Sequence, residues 1–174
     1  MAESKMQCNT ESFQSINNLF IRSLSEAKES RSLPHSNFTS DIYLLFSLAK
    51  KMAQLIEKEN LQSLHAIFCG INLDFFVIKA HLGEIIALLD ARYDEVGSKI
   101  KSIEHAFYKN RKSFLAERND KILVRGKRLI MDGLPELRDF EKTFDKDIAL
   151  LIQHEIDHQN GLFLHETSIE VETF

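Results

Sequence analysis

The apolar positions of the chain first follow a helical spacing. From Asp41 onward, apolar side chains recur every three or four residues until about Lys58. This spacing predicts an amphipathic helix, and Ser40 or Asp41 can accept hydrogen bonds from its first backbone amides. The apolar face consists of Ile42, Leu45, Phe46, Leu48, Ala49, Met52, Leu55 and Ile56.

The first 40 residues lack such a pattern. They are rich in Ser, Asn and charged side chains, and Pro34 interrupts them. A segment of this composition buries little apolar surface, so we expect it to be poorly structured or partly helical. We predict one short helix in it, near Phe13 to Ala27.

Short apolar segments separated by turn residues follow the first long helix and predict strands. They are Ala66 to Cys69, Phe75 to Ile78, Ile85 to Leu89, Lys121 to Arg125 and Arg128 to Met131, with breaks at Gly70, Asn72, Gly83 and Gly126. The dipeptide Asp132-Gly133 is a strong hairpin signal. The stretch from Phe144 to Leu151 predicts the first part of a second helix, which ends near Gly161. This order predicts an α+β domain over residues 41–165, with a mostly antiparallel sheet and a short acidic tail over 166–174.

Composition excludes several classes of protein. With 174 residues and 44% hydrophobic content, the chain is long enough to bury a core. The net charge of −4 and the scattered basic residues argue against a nucleic-acid partner, and no segment predicts contact with a membrane. The N-terminus shows no apolar signal segment, and Cys8 and Cys69 are too few for a disulfide framework. We therefore expect a cytoplasmic protein.

The most specific chemical motif lies in the second predicted helix. Its sequence is His154-Glu155-Ile156-Asp157-His158. Two imidazoles four residues apart lie on one helix face and can reach one metal ion. A glutamate directly after the first histidine can exchange a proton with a metal-bound water. This HExxH spacing is typical of metal-assisted hydrolases, although helices also contain it by chance.

The residues around the motif extend it. The stretch from Gln153 to Gly161 resembles the QHExDHxxG helix of the peptide deformylases, and Val124 to Gly133 is similar to the strand pair that precedes that helix. Gly70 to Ile78 and Leu88-Leu89-Asp90 are similar to earlier strands of the family. The resemblance therefore extends over roughly residues 40–165.

This resemblance implies a fold, an activity and a site. The fold would place small, mostly antiparallel sheets around a central helix that bears the HExxH motif. The activity would be hydrolysis of the N-formyl group of methionyl peptides or nascent chains, with Fe²⁺ or Zn²⁺ bound by His154 and His158. Glu155 would be the general base and then the acid. Gln153 and Asp157 would hydrogen-bond neighbouring backbone or orient the histidine rings.

The first motif of the family, GxGxAAxQ, is changed in this chain. It falls on Leu61 to Phe68, where Leu61 and Ser63 replace the glycines and Phe68 replaces the glutamine. In the family, that glutamine donates a hydrogen bond to the oxyanion that forms at the formyl carbon. A phenylalanine cannot donate one, and losing one such donor costs about 3 kcal/mol of transition-state stabilisation.

The second motif, EGCLS, falls on Glu104 to Tyr108 and is changed as well. Ala106 replaces the cysteine that is the family's third metal ligand. Two histidines alone fall short of the three protein ligands of a catalytic zinc site. His105, His65 and Cys69 are candidate substitutes, although a strand would direct His105 to the opposite face. Glu104 is retained, and we expect it to pair with a basic residue.

Two interpretations remain open. The chain is either a hydrolase with an altered third ligand or a pseudoenzyme that binds a peptide or protein partner through the former active-site cleft. Phe68, Phe107 and Tyr108 are expected to fill space left by polar site residues, which favours weak or absent activity. The acidic tail argues against docking on ribosomal RNA, since both carry negative charge.

Overall fold

The computed structural model of the chain describes residues 21–31, 41–106 and 112–172. Its helices are α1 (Leu24–Arg31), α2 (Ile42–Lys58), α3 (Lys146–Gln159) and α4 (Leu164–Thr167). Its strands are β1 (Ser63–His65), β2 (Phe75–Lys79), β3 (Ile85–Glu95), β4 (Lys99–Ala106), β5 (Lys112–Asn119), β6 (Lys121–Ile130), β7 (Glu136–Asp145) and β8 (Ile169–Val171). Short 3₁₀ helices span Ala66–Cys69 and His81–Gly83.

The strands form two antiparallel sheets. The larger sheet has the order β1-β2-β3-β6-β7, and the smaller sheet has the order β4-β5-β8. This architecture confirms the predicted α+β class. Ile169–Val171, which the sequence suggested was part of an acidic tail, instead pairs with β5 as a third strand.

The two long helices follow from local sequence signals. The Asp41 side chain accepts hydrogen bonds from the amides of Tyr43 and Leu44, at 3.0 and 3.2 Å, and so begins α2 where the spacing predicted. Helix α3 begins at Lys146, slightly after the predicted start. In the N-terminal segment, α1 lies later than the helix predicted near Phe13 to Ala27, of which residues 13–20 are outside the described ranges.

One predicted strand was wrong, and several observed strands were not predicted. Ala66–Cys69 is a 3₁₀ helix because the His65 ring accepts a hydrogen bond from the Ile67 amide at 3.2 Å and Gly70 turns the chain with a φ of 79°. Strands β4, β5 and β7 are not among the predicted segments. The hairpin predicted at Asp132-Gly133 joins β6 to β7, whose residues are mostly exposed and charged because it is a sheet edge.

The strand break predicted at Gly126 is absent. Strand β6 continues through it, facing an irregularity in β3 between Leu89 and Arg92. A Cβ at Gly126 would lie 3.0 Å from the Leu89 carbonyl oxygen and from the Ala91 Cα. A glycine at position 126 therefore allows β6 and β3 to approach each other closely.

The core lies on both faces of the larger sheet. Along β2, Phe75 and Val77 pack in the cluster that contains α2, whereas Phe76 and Ile78 pack in the cluster that contains α3. Helix α3 also contacts β5 of the smaller sheet, so it lies between the two sheets. The HExxH motif is thereby placed in the middle of the molecule. None of the helices in the described ranges is long and apolar enough to cross a membrane.

The segment around α1 packs against the 3₁₀ helix that follows β1. The Arg22 amide donates to the Phe68 carbonyl oxygen at 2.7 Å, and Ile21 packs against the core. The Arg22 guanidinium occupies the space that a side chain at Gly70 would need. This contact covers the chain segment that bears Phe68.

Candidate functional site

The two histidines of α3 face each other. The His154 Nε2 and His158 Nε2 atoms are 3.0 Å apart, and the ring planes are nearly perpendicular, at 81°. This arrangement follows from the i, i+4 spacing on one helix face. His158 is buried, whereas the His154 side chain keeps 12% of its surface exposed.

Hydrogen bonds at the Nδ1 atoms of the two rings fix the tautomer of each histidine. His154 Nδ1 lies 2.9 Å from a Glu104 carboxylate oxygen, and His158 Nδ1 lies 3.1 Å from the Leu162 carbonyl oxygen. Because both partners accept, both Nδ1 atoms carry hydrogen, and the two Nε2 lone pairs of neutral rings would point at each other. A positive charge between them is needed, and it can be a proton or a metal ion.

The pKa shifts of the two rings are opposite, so that a proton between them would favour His154. Burial lowers the pKa of His154, but the Glu104 hydrogen bond and the charges of Glu155 and Glu104 outweigh it and raise the pKa overall. Burial and the positive charges of His154 and His65 hold the pKa of His158 well below its usual range. When it is protonated, His154 can donate from Nε2 to the Nε2 atom of His158.

Glu104 belongs to a buried ionic network with Arg118 and Asp157. Arg118 Nε and a terminal nitrogen donate to the two Glu104 oxygens at 2.6 and 3.0 Å, and its other terminal nitrogen donates to Asp157 at 2.5 Å. Helix α3 is thus hydrogen-bonded to β4 through His154 and to β5 through Asp157. Sequence reasoning expected a basic partner for Glu104 but did not identify Arg118; an arginine among the inward positions of β5 was the available signal.

Gln153 fixes α3 to the end of β5. Its Nε2 donates to the Asn119 carbonyl oxygen at 2.8 Å, and its Oε1 accepts from the Asn119 amide at 2.9 Å. The side chain is almost fully buried. It therefore satisfies the backbone amide and carbonyl group of Asn119.

Glu155 follows His154 in α3 and is 2% exposed. The Ser63 side chain lies close to its carboxyl group and favours the charged form. Burial raises the pKa of Glu155, against the lowering effects of His154 and Ser63. Ser63 stands at a glycine position of the family motif, so this contact depends on a departure from that motif.

Apolar side chains cover the far side of the histidine pair. The Phe68 ring packs edge-on against the His158 ring, with centroids 5.0 Å apart, and Phe163 packs against His158 at 5.3 Å. Phe68 and Ala106 are both fully buried. Phe107 and Tyr108, which were expected to fill the same space, lie outside the described residues.

The candidate substitute ligands are arranged for other roles. The His105 ring contacts the Ser113 hydroxyl at 3.1 Å, on the strand face opposite Glu104. His65 is buried with its ring centroid 6.5 Å from that of His158, and its Nδ1 caps the 3₁₀ helix. Burial raises the pKa of the Cys69 thiol to about 12, despite the opposing charge of Arg22, so it remains a neutral thiol.

A groove of about 650 Å³ opens above His154 and Glu155. Its walls come from the end of α2 and β1, from β4 and from the first half of α3. The lining includes Leu61, Ser63, Ile103, Glu104, Asp147, Leu150, Leu151, His154 and Glu155. His158, Phe68 and Ala106 are buried and are not among the lining residues.

The model of the polypeptide deformylase family matches residues 28–172 of this chain. The chain belongs to that family. The match includes both changed motifs and is longer at each end than the resemblance inferred over residues 40–165. No individually curated protein matches the chain.

Solved peptide deformylases share the fold. The structure from Synechococcus elongatus, in complex with actinonin, is 23% identical, with a TM-score of 0.68 over 84% of this chain and 76% of the other. The structure from Legionella pneumophila is 22% identical, with a TM-score of 0.66 over 84% and 83% of the two chains. The structure from Acinetobacter baumannii is 19% identical, with a TM-score of 0.70 over 85% and 97%.

Deformylases are generally metal-dependent, so a working member needs side chains that can hold a metal ion. In the ranges 21–31, 41–106 and 112–172, no three His, Cys, Asp or Glu residues are grouped so that they could hold a metal ion. Glu104 and Ala106 share one face of β4, and of these two only Glu104 has a side chain that could bind a metal. The described residues therefore do not fit a centre with three protein ligands.

Proposed function

We propose that this chain is a peptide-binding member of the deformylase family in which hydrolysis of the N-formyl group is weak or absent. One observation carries the proposal: the groove remains open over a histidine pair that lacks a third donor in the described part of the chain. Binding and hydrolysis need different groups, and the site keeps mainly those for binding.

The groove has the walls that an extended peptide requires. It is lined by Ser63 of β1 and by Ser102 to His105 of β4, and these strands are edges of the two sheets. An edge strand offers backbone amides and carbonyls to an added strand. Leu61, Leu150 and Leu151 supply an apolar wall for a side chain of the peptide.

The loss of hydrolytic power is supported at two positions. Ala106 has no group that can bind a metal, and Phe68 cannot donate to an oxyanion. Phe68 is also buried against His158, so no solvent-filled space stands in for the missing donor. We propose that the histidine pair then serves as a charged, oriented floor of the peptide groove.

A hydrolase with an altered ligand set is the second candidate, and Glu155 supports it. Burial raises the pKa of this carboxyl group, which moves it toward the range of an effective general base. In that case the catalytic residue would be Glu155, with His154 and His158 as ligands. The two candidates differ in metal content and in turnover.

The experiment combines metal analysis, turnover and binding on one preparation. The chain is purified without chelators, its metals are measured by mass spectrometry, and a formyl-methionyl tripeptide is tested for hydrolysis and for binding by calorimetry. We expect saturable binding, little metal and no turnover. About one metal ion per chain, with turnover that Glu155→Ala abolishes, would establish the hydrolase instead.

A matched pair of variants tests the place of binding. Ile103 lines the groove and is 57% exposed, whereas Leu134 lies in the β6–β7 turn and is 81% exposed. Ile103→Asp is expected to weaken peptide binding, and Leu134→Asp is expected to leave it unchanged. Equal binding by both variants would show that the peptide binds elsewhere.

A further inference from the structure

We propose that residues 21–31, which include α1, form a strap that detaches from the rest of the fold far more often than the whole chain unfolds. Its detachment releases the two chain segments whose phenylalanine rings cover His158. Neither the strap nor these two segments line the groove. The strap is therefore a conformational device of its own, and the inference holds whether or not the groove binds a peptide.

The strap is bonded to a different segment at each end. Near its start, the Arg22 amide donates to the Phe68 carbonyl oxygen at 2.7 Å. Further along, Lys28 forms an ion pair with Glu166 of α4, and its Nζ atom lies 5.1 Å from the centroid of the Phe163 ring. The strap thus joins the 3₁₀ helix that bears Phe68 to the beginning of α4.

The two segments that the strap holds meet at His158. The Phe68 and Phe163 rings contact each other, with centroids 6.0 Å apart. Each ring also contacts the His158 ring, at 5.0 and 5.3 Å. Because the strap is bonded to the backbone of one phenylalanine and contacts the ring of the other, its loss should loosen the apolar cover of His158 on both segments.

The contacts that hold the strap are individually weak. A helix of eight residues is not stable alone in water, so α1 depends on these contacts for its order. Among the α1 side chains that the structure describes, only Ala27 and Ser30 are buried, and small side chains remove little apolar surface from water. Lys28 and Glu166 are both partly exposed, which makes their ion pair a minor contribution. Segments with so few buried contacts open locally without global unfolding.

Cys69 can report the opening of the strap. It ends the 3₁₀ helix directly after Phe68, is 6% exposed, and is close enough to Arg22 for that charge to act on its thiol. A buried thiol does not react with a dissolved reagent until the structure around it opens. The other cysteine, Cys8, lies outside the described residues, and Cys8→Ser leaves Cys69 as the only thiol of the chain.

The first experiment measures how fast dithionitrobenzoate labels Cys69 in the full-length Cys8→Ser chain. The labelling rate of the urea-unfolded chain and the unfolding constant from circular dichroism give the rate that global unfolding alone allows. We expect labelling without urea to be about 100-fold faster than that rate. It should depend only weakly on urea, because detachment of the strap exposes little surface. A rate and a urea dependence that global unfolding explains would overturn the inference.

Variants of the strap test whether the strap is the segment that opens. Lys28→Met removes the charge but keeps an aliphatic side chain, and it should raise the labelling rate about five-fold. Lys112→Met is the matched control, since it removes a similarly exposed ion pair, with Glu170 in the smaller sheet, and should leave the rate unchanged. Ala27→Glu places a charge at a fully buried position and should bring labelling close to the rate of the unfolded chain while the cooperative urea transition remains. Fast labelling that neither strap variant changes would overturn the assignment to the strap.

Hydrogen exchange tests whether the strap holds both segments. Exchange is followed by mass spectrometry in the Cys8→Ser chain with and without Lys28→Met. The amides of residues 66–70 and 163–167 should both exchange about five-fold faster in the variant, whereas those in the middle of α2 should not change. Faster exchange in only one of the two segments would show that the strap does not join them.

Discussion

The two sides of the histidine pair differ in chemistry. On one side, Glu104, Arg118 and Asp157 form a buried ionic network with short hydrogen bonds. On the other side, the Phe68 ring packs against His158. Ala106, buried in β4 two residues after Glu104, also offers only carbon. The first group orients α3 and joins it to β4 and β5, whereas the second occupies positions at which the family motifs place a donor and a ligand. Glu104 of the family motif is retained in this network, whereas the family's cysteine ligand and glutamine donor are replaced by Ala106 and Phe68.

Restoring the absent groups should have the largest effect, because it removes the difference between the two sides. The double substitution Ala106→Cys with Phe68→Gln adds a thiolate ligand and an oxyanion donor. We expect the refolded chain to take up about one Zn²⁺ per molecule, measured by mass spectrometry after dialysis. A triple variant that also carries His154→Ala should bind far less Zn²⁺ per molecule. Failure of the double variant to bind zinc would mean that position 106 does not face the histidine pair.

Removing Arg118 should be the most destabilising single change on the polar side. Arg118→Met leaves Glu104 and Asp157 buried without their shared partner, which costs about 3–5 kcal/mol of unfolding free energy. Urea denaturation of the wild type and the variant measures this loss of unfolding free energy. Arg125→Met is the matched control, since Arg125 also binds two carboxylates, Asp94 and Glu141, but on the exposed sheet surface. Similar losses in both variants would contradict the difference in burial.

The network should also make stability depend on acid pH. Burial raises the pKa of Glu104, but hydrogen bonds from His154 and Arg118 outweigh it and lower the pKa to about 2. A carboxyl group with a depressed folded-state pKa stabilises the protein above its unfolded pKa, near 4.5, and this contribution is lost as the pH falls toward 2. We expect a loss of about 3 kcal/mol from this group over that window. In Glu104→Gln that part of the pH dependence, measured by denaturation at successive pH values, should be missing.

Gln153 gives the smallest of the four effects. Gln153→Leu keeps the volume but leaves the Asn119 amide and carbonyl without their partners, at a cost of about 2 kcal/mol. Thermal unfolding monitored by circular dichroism should show a lower melting temperature, with peptide binding retained at a temperature well below the transition. Loss of binding at full stability would instead give Gln153 a direct role in the groove.

Strong local signals predicted the elements that carry the site. The spacing of α2 with its Asp41 cap, and the HExxH helix, depend on residues close together in sequence. Strand β7 was missed because an exposed edge strand has little apolar alternation. The Ala66–Cys69 segment was misassigned because an apolar run does not show whether it is extended or turned, and the His65 cap decides it.

The site itself was only partly predictable. His154, His158 and Glu155 stand in one motif, but Arg118 acts through contacts 14 residues away in sequence, to Glu104, and 39 away, to Asp157. Such pairs are created by the packing of α3 between two sheets. The contact between Ser63 and Glu155 likewise joins segments that only the tertiary fold brings together.

The packing of Ile21 and Arg22 on the Phe68 segment bears on how the protein should be cut for expression. A chain shortened to the family match would start at residue 28 and discard both residues, together with the backbone bond from Arg22 to Phe68. Its core would be open beside Gly70, and its groove would be looser than that of the longer chain. Truncations for binding studies should therefore begin no later than residue 21.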